Sequence, residues 1–138
     1  MREVEASRFL RTTIPGVERV LDPERIVECE DTFSVLETAA VDGGTRVIAG
    51  AKGLEMSLFF EEREDGYRYY QEGETGPFEA METTIRYRAE NEGVRVSMHS
   101  SVSLGLFPRP LTDRIAAWKR EAELERCLDG LEEALTDG

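Results

Sequence analysis

The chain carries one histidine, two cysteines, two lysines and one tryptophan among 138 residues. Each scarcity excludes something. With His99 alone, a histidine-based metal site has no second ring to share the ion. Any Ser–His–Asp or Cys–His arrangement must also pass through that one residue. Cys29 and Cys127 lie far apart, form no CxxC pair and have no histidine nearby, so neither a zinc site nor a redox motif is indicated. Both fall in amphipathic helical segments and read as buried, reduced thiols. No apolar run approaches the ~20 residues needed to span a bilayer. The start, Met1-Arg2-Glu3-Val4-Glu5, has no hydrophobic signal region, so the expected compartment is the cytoplasm.

Positive charge is scarce too: 29 acidic residues face 17 basic ones, a formal net charge of −12. Such a surface repels phosphate backbones and anionic bilayers, which argues against a nucleic-acid partner and against membrane contact. Only Lys52 and Lys119 are lysines; the other 15 basic residues are arginines. High acidity with little lysine suits a salt-rich cytoplasm such as that of haloarchaea, because carboxylates keep a surface hydrated under strong screening. An arginine-rich codon usage with ordinary acidity gives the same composition, and either reading concerns habitat rather than function.

The order of elements is the most informative feature present. Arg2 to Thr12 alternates loosely and reads as a strand. Ile14-Pro15 opens a short helix and Asp22-Pro23 a second, with Asp22 as N-cap and proline where its missing N–H costs nothing. Ile26, Val27 and Cys29 form the expected inner face of that second helix. From Thr32 the period becomes two. Strands are expected over Thr32 to Val41, Thr45 to Ala51, Leu54 to Arg63, Tyr67 to Glu72, Ala80 to Glu90 and Val94 to Leu104. They are separated by Asp42-Gly43-Gly44, a break at Gly53, Asp65-Gly66, a loop through Gly76-Pro77, and Asn91-Glu92-Gly93. Met81, Thr83, Ile85 and Tyr87 share one face of their strand, as do Val94, Val96, Met98, Ser100 and Val102 of the next. One covered and one wet face is the pattern of an antiparallel sheet packed on one side. After Phe107-Pro108, the residues Leu111, Ile115, Trp118, Ala122, Leu124, Cys127, Leu128, Leu131 and Leu135 recur at helical spacing. That predicts a helix from about Thr112 to Leu135, ~36 Å long. The fold class is therefore α+β: six or seven antiparallel strands curved around a closing helix, in one domain over residues 1–138.

Catalytic and metal-binding candidates are weak. His99 falls on the wet face with Arg95 and Ser97 and has no third partner. Glu61-Glu62-Arg63-Glu64-Asp65 could offer oxygens to a hard cation, but it reads better as a solvated hairpin end. Gly50-Ala51-Lys52-Gly53 is formally GxxG, yet it joins strands in an anionic chain, unlike the nucleotide clamp between helices. Glu82, Arg86, Arg88, Glu90 and Arg95 read as cross-strand ion pairs. No cofactor motif is present. The aromatic and methionine side chains of the middle strands, with Trp118, either fill the space under the closing helix or line a pocket there. Tyr69 and Tyr70 point to opposite faces, so one of them is outside.

Four features together resemble the SRPBCC superfamily of START domains, Bet v 1-type plant pollen allergens and polyketide cyclase-like proteins. They are the Ile14-Pro15 lead-in to paired short helices, the strand run with turns at Gly43-Gly44 and Gly93, the Gly76-Pro77 loop, and the long terminal helix. The resemblance spans nearly the whole chain and rests on layout rather than on one motif. The short length is closest to the compact bacterial and archaeal cyclase-like members. It implies a helix-grip fold, with a hydrophobic cavity between sheet and last helix that holds a lipid, quinone, polyketide or isoprenoid-like molecule. Under that implication the cavity lining is drawn from Met56, Leu58, Phe60, Tyr69, Tyr70, Met81, Thr83, Ile85, Tyr87, Met98, Ser100 and Trp118. Thr83, Tyr87 or Ser100 would orient a polar end. Binding without catalysis is the primary expectation. A cyclase or dehydratase would need an inward acid, base or arginine. A protein-interaction module with a filled interior is the third reading, and an exposed edge strand would offer a homodimer contact.

Overall fold

The computed structural model describes residues 2–73, 78–105 and 109–137. The expected Gly76-Pro77 loop and the Phe107-Pro108 turn lie outside the described residues. Strand β1 (Arg2–Leu10) leads to α1 (Ile14–Val20) and α2 (Pro23–Glu30). Six strands follow: β2 (Ser34–Val41), β3 (Gly44–Ala51), β4 (Leu54–Arg63), β5 (Gly66–Gln71), β6 (Ala80–Glu90) and β7 (Gly93–Ser103). Helix α3 (Arg109–Asp137) closes the chain. Local chemistry sets the helix starts. Thr13 Oγ1 accepts from the Gly16 amide at 3.1 Å and Asp22 Oδ1 from the Arg25 amide at 2.9 Å, each with a proline in the first turn. Side-chain caps of this kind satisfy amides that have no partner within the helix.

The seven strands form one antiparallel sheet in the order β1-β7-β6-β5-β4-β3-β2, so the first strand pairs with the last. Lys52-Gly53 is a two-residue hairpin turn rather than a break, with φ of 51° and 82°. Asn91-Glu92 is another, with φ of 45° and 65°. Positive φ at both central residues matches the strand twist that tight hairpins need. Gly93 then belongs to β7, where a Cβ would strike the Phe9 ring and the Leu10 carbonyl. Strand β2 is an exposed edge, and a bulge at Leu36 interrupts its pairing with β3. On the wet face Arg95 pairs with Glu90 at 2.9 Å and Arg68 with Glu82 at 2.6 Å.

The covered face carries Val47, Met56, Leu58, Phe60, Tyr69, Met81, Ile85, Val96, Met98 and Val102, all buried. Helix α3 packs on β1 and β7, while α2 lies over β2 and β3 and against α3. Leu124, Cys127, Leu128 and Leu131 are buried as expected. The front half of α3 departs from expectation. Leu111, Ile115 and Trp118 point to solvent, Trp118 with 72% of its surface exposed, and Asp113, Ala116, Ala117, Arg120 and Glu123 take the inner face. At 100° per residue the stripe through Leu111, Ile115 and Trp118 is offset by about two-fifths of a turn from that through Leu124, Leu128 and Leu131. Only the second stripe meets the apolar sheet.

Gly130 allows α2 and α3 to approach closely: a Cβ there would sit 2.3 Å from Cys29 Sγ and 2.9 Å from Cys29 Cβ. Gly130→Ala should therefore destabilise the protein by about 1–3 kcal/mol through overpacking, although alanine is the better helix former by ~1 kcal/mol. Chemical denaturation checks this, and a Cys29→Ala background should relieve part of the loss.

Candidate functional site

The inner face of α3 inserts a charge into the core. Arg120 is 2% exposed. It lies four residues before Leu124 and seven before Cys127, on the same side of the helix, so the packing of those residues aims it at the sheet. Its Nε donates to Ser100 Oγ at 3.0 Å. Nη1 donates to Glu30 Oε2 at 2.8 Å and to Glu123 Oε1 at 3.1 Å. Nη2 donates to the Tyr69 hydroxyl at 2.7 Å and to Thr83 Oγ1 at 2.8 Å. One guanidinium thus links α2, β5, β6, β7 and α3.

Glu30 enters the cluster because α2 turns Ile26, Val27 and Glu30 inward together. Cys29, expected on that face, is only half-buried. The Tyr69 hydroxyl donates to Glu30 Oε1 at 3.2 Å, and the Tyr69 ring stacks on Phe60 with centroids 4.4 Å apart. Thr83 and Ser100 are cross-strand partners whose hydroxyl oxygens lie 2.7 Å apart.

Burial pushes the Glu30 carboxyl above its ordinary pKa; Arg120 opposes the shift and the charge of Glu123 adds to it. Burial alone would lower the pKa of Arg120, but Glu30, Tyr69 and Glu123 hold the guanidinium in its charged form, well above the ordinary range. The two directions fit together. One cation faces two carboxylates, so it stays charged while Glu30 becomes easier to protonate. Burial likewise raises the Tyr69 phenol far above its usual range, so it remains a hydroxyl donor.

Beside the cluster lies a cleft of about 20 Å³. Val27, Phe33, Met56, Leu58, Phe78 and Met81 form its apolar wall, with Glu30, Arg120 and Glu123 on its polar side and Thr32 at the rim. Of the candidate lining, Met56, Leu58 and Met81 border this cleft. Thr83 and Ser100 bind Arg120 instead of facing open space. Phe60, Tyr69, Ile85 and Met98 are buried in the packed core. The Tyr87 hydroxyl donates to Glu18 at 2.9 Å, and burial with that partner pushes its pKa up to about 12. Two candidates are corrected. Tyr70 is on the wet face, 5.6 Å from the Phe59 ring and under the Arg68 guanidinium. Trp118 points away from the sheet. Glu30, Arg120 and Glu123 lie outside the expected lining, since charged side chains ordinarily face water. Extending the Leu124–Leu131 stripe backward would have found Arg120, and the four-residue step from Ile26 would have found Glu30.

His99 lies on the wet face, with Nε2 3.3 Å from Glu3 Oε1. Among the described residues no group of three or more His, Cys, Asp or Glu is placed to hold a metal ion. Among them, too, no helix is long and apolar enough to cross a membrane.

No family model matches the chain. No curated protein matches it either. Solved structures do. The protein TTHA0849 from Thermus thermophilus is 25% identical, with a TM-score of 0.77 over 99% of this chain and 98% of its own. Ara h 8.0201 is 14% identical, with a TM-score of 0.69 over 99% of each chain. A START superfamily protein from Mycobacterium smegmatis is 12% identical, with a TM-score of 0.70 over 98% of this chain and 97% of its own. The chain shares the helix-grip fold of these structures, the START superfamily protein among them.

Arg120→Leu should destabilise the protein by about 3–5 kcal/mol, because two buried carboxylates lose the cation they share; denaturant midpoints measure this. The pH dependence has a definite sign. A carboxyl whose folded pKa is raised gives stability that is complete below its unfolded value, near 4.5, and is lost as pH rises through the folded value. Arg120 and Glu123 from α3 and Tyr69 from β5 act on Glu30. Stability of Glu30→Gln relative to wild type should therefore rise as pH increases from 4.5 toward 7, measured by parallel denaturation curves.

Proposed function

We propose that the chain binds and carries a small hydrophobic molecule between the sheet and α3 without transforming it. The observation that carries this reading is the cleft, an apolar wall built around one polar cluster. At about 20 Å³ it holds no more than one water molecule, whereas ligand sites commonly measure ~300–1,000 Å³. A ligand must therefore displace part of the wall. Met56 and Met81 repack readily because a thioether chain has many accessible shapes. Phe33 and Phe78 are only half-buried and would act as the yielding side. The ligand's tail would lie along Met56, Leu58 and Met81, with its polar end toward the cluster. The cytoplasm is the proposed compartment, and the acidic, lysine-poor surface is read as a response to high salt.

A second reading has its own observation. Glu30, a carboxyl that burial makes easier to protonate, borders the cleft beside Arg120 and Tyr69. Such a group could serve as the general acid or base of a cyclase or dehydratase-like reaction.

Native mass spectrometry of gently purified protein, with a thermal-shift screen of lipids, quinones and polyketides, tests the carrier reading. A bound mass or a raised midpoint is expected, with the ligand recovered unchanged. Protein that is always empty and never shifted would overturn it. A ligand recovered altered by wild type but intact from Glu30→Gln would establish the enzymatic reading instead.

A further inference from the structure

The hydrogen bonds of the buried cluster are unequally filled. A guanidinium has five N–H donors and no acceptor. Those of Arg120 are taken by Ser100, Glu30, Glu123, Tyr69 and Thr83. The hydroxyl protons are used as well. Tyr69 donates to Glu30. Thr83 donates to Met81 Sδ at 3.3 Å, which leaves the Ser100 proton to bridge the 2.7 Å to Thr83. No donor of the cluster remains to receive a ligand.

One acceptor does remain. Glu123 receives Arg120 on Oε1. Among the described residues its Oε2 has no hydrogen-bond partner. Glu123 borders the cleft together with Phe33, Met56, Phe78 and Met81. Charge points the same way: Glu30 and Glu123 share the single cation of Arg120, so the ionised cluster carries a surplus negative charge. Arg126 does not cancel it inside the cleft. Its Nε is held by the Glu30 carbonyl at 2.8 Å and its Nη2 reaches Thr32 at the rim, on an exposed side chain.

We propose that this cleft selects its ligand by the polar end, accepting an apolar molecule that ends in a hydrogen-bond donor, best a protonated primary amine, and rejecting one that ends in a carboxylate. The ammonium would donate to Glu123 Oε2 and neutralise the surplus charge. The aromatic walls at Phe33 and Phe78 suit a cation. A carboxylate end would itself be a third negative charge beside Glu30 and Glu123 and would find no free donor in the cluster. This inference rests on the container reading above.

The test titrates the intact protein with octylamine, octanol and octanoate, followed by calorimetry and amide NMR shifts. Salt on the order of 0.5 M screens the general attraction of an acidic surface for amines. Octylamine should bind at least about tenfold more tightly than octanoate, the scale of one charge-assisted hydrogen bond. Glu123→Gln keeps a carbonyl for Arg120 and should remove that preference, while the surface control Glu132→Gln should not. Octanoate binding as tightly as octylamine, or an amine preference that survives Glu123→Gln, would overturn the inference and leave the container reading standing. If none of the three binds, both fall.

Discussion

The guanidinium of Arg120 is the constraint around which the interior is arranged. A charge under a helix cannot be left unpaired, because its desolvation would cost several kcal/mol. Every element that faces it therefore supplies a polar atom: Glu30 from α2, Tyr69 from β5, Thr83 from β6, Ser100 from β7 and Glu123 from α3 itself. These bonds are directional, whereas apolar contacts are not. They set the rotation and height of α3 over the sheet, and they explain why its front half turns Leu111, Ile115 and Trp118 outward.

The same cluster divides the interior into two regimes. Behind it, Leu124, Cys127, Leu128 and Leu131 close a packed apolar core against the sheet and α2. Ahead of it, packing loosens into a cleft whose walls are methionine, phenylalanine and carboxylate. Unfilled volume of this kind costs stability, since it forfeits dispersion contacts. The polar cluster lies between the two regimes and ties α2 and α3 to the sheet.

Much of the fold could be read from residue order. Period-two alternation in Ala80 to Glu90 and Val94 to Leu104 places the covered face correctly, because a strand has only two faces. Asp22-Pro23 and Asn91-Glu92 mark their helix start and turn because few residues suit those backbone geometries. The candidate site was far less legible. Met56, Leu58 and Met81 stand in the right strands on the right face, yet alternation cannot distinguish a cleft wall from solid core such as Ile85 or Met98. Trp118 was misplaced because its apolar stripe and that of Leu124 both satisfy helical spacing, and spacing does not say which stripe meets the sheet.

The amino-acid order by itself determined the elements, their sequence along the chain and the covered side of β6 and β7, since these follow from local sterics and from keeping apolar groups out of water. Helical spacing could place Arg120 and Glu30 on inner faces, but tertiary structure decided that they and Glu123 stay inside with their charges and that Trp118 lies outside. That choice depends on partners up to 90 residues apart, Glu30 and Arg120 among them. No local pattern records such a pairing, because a buried charge is tolerable only once all its distant partners have been brought together.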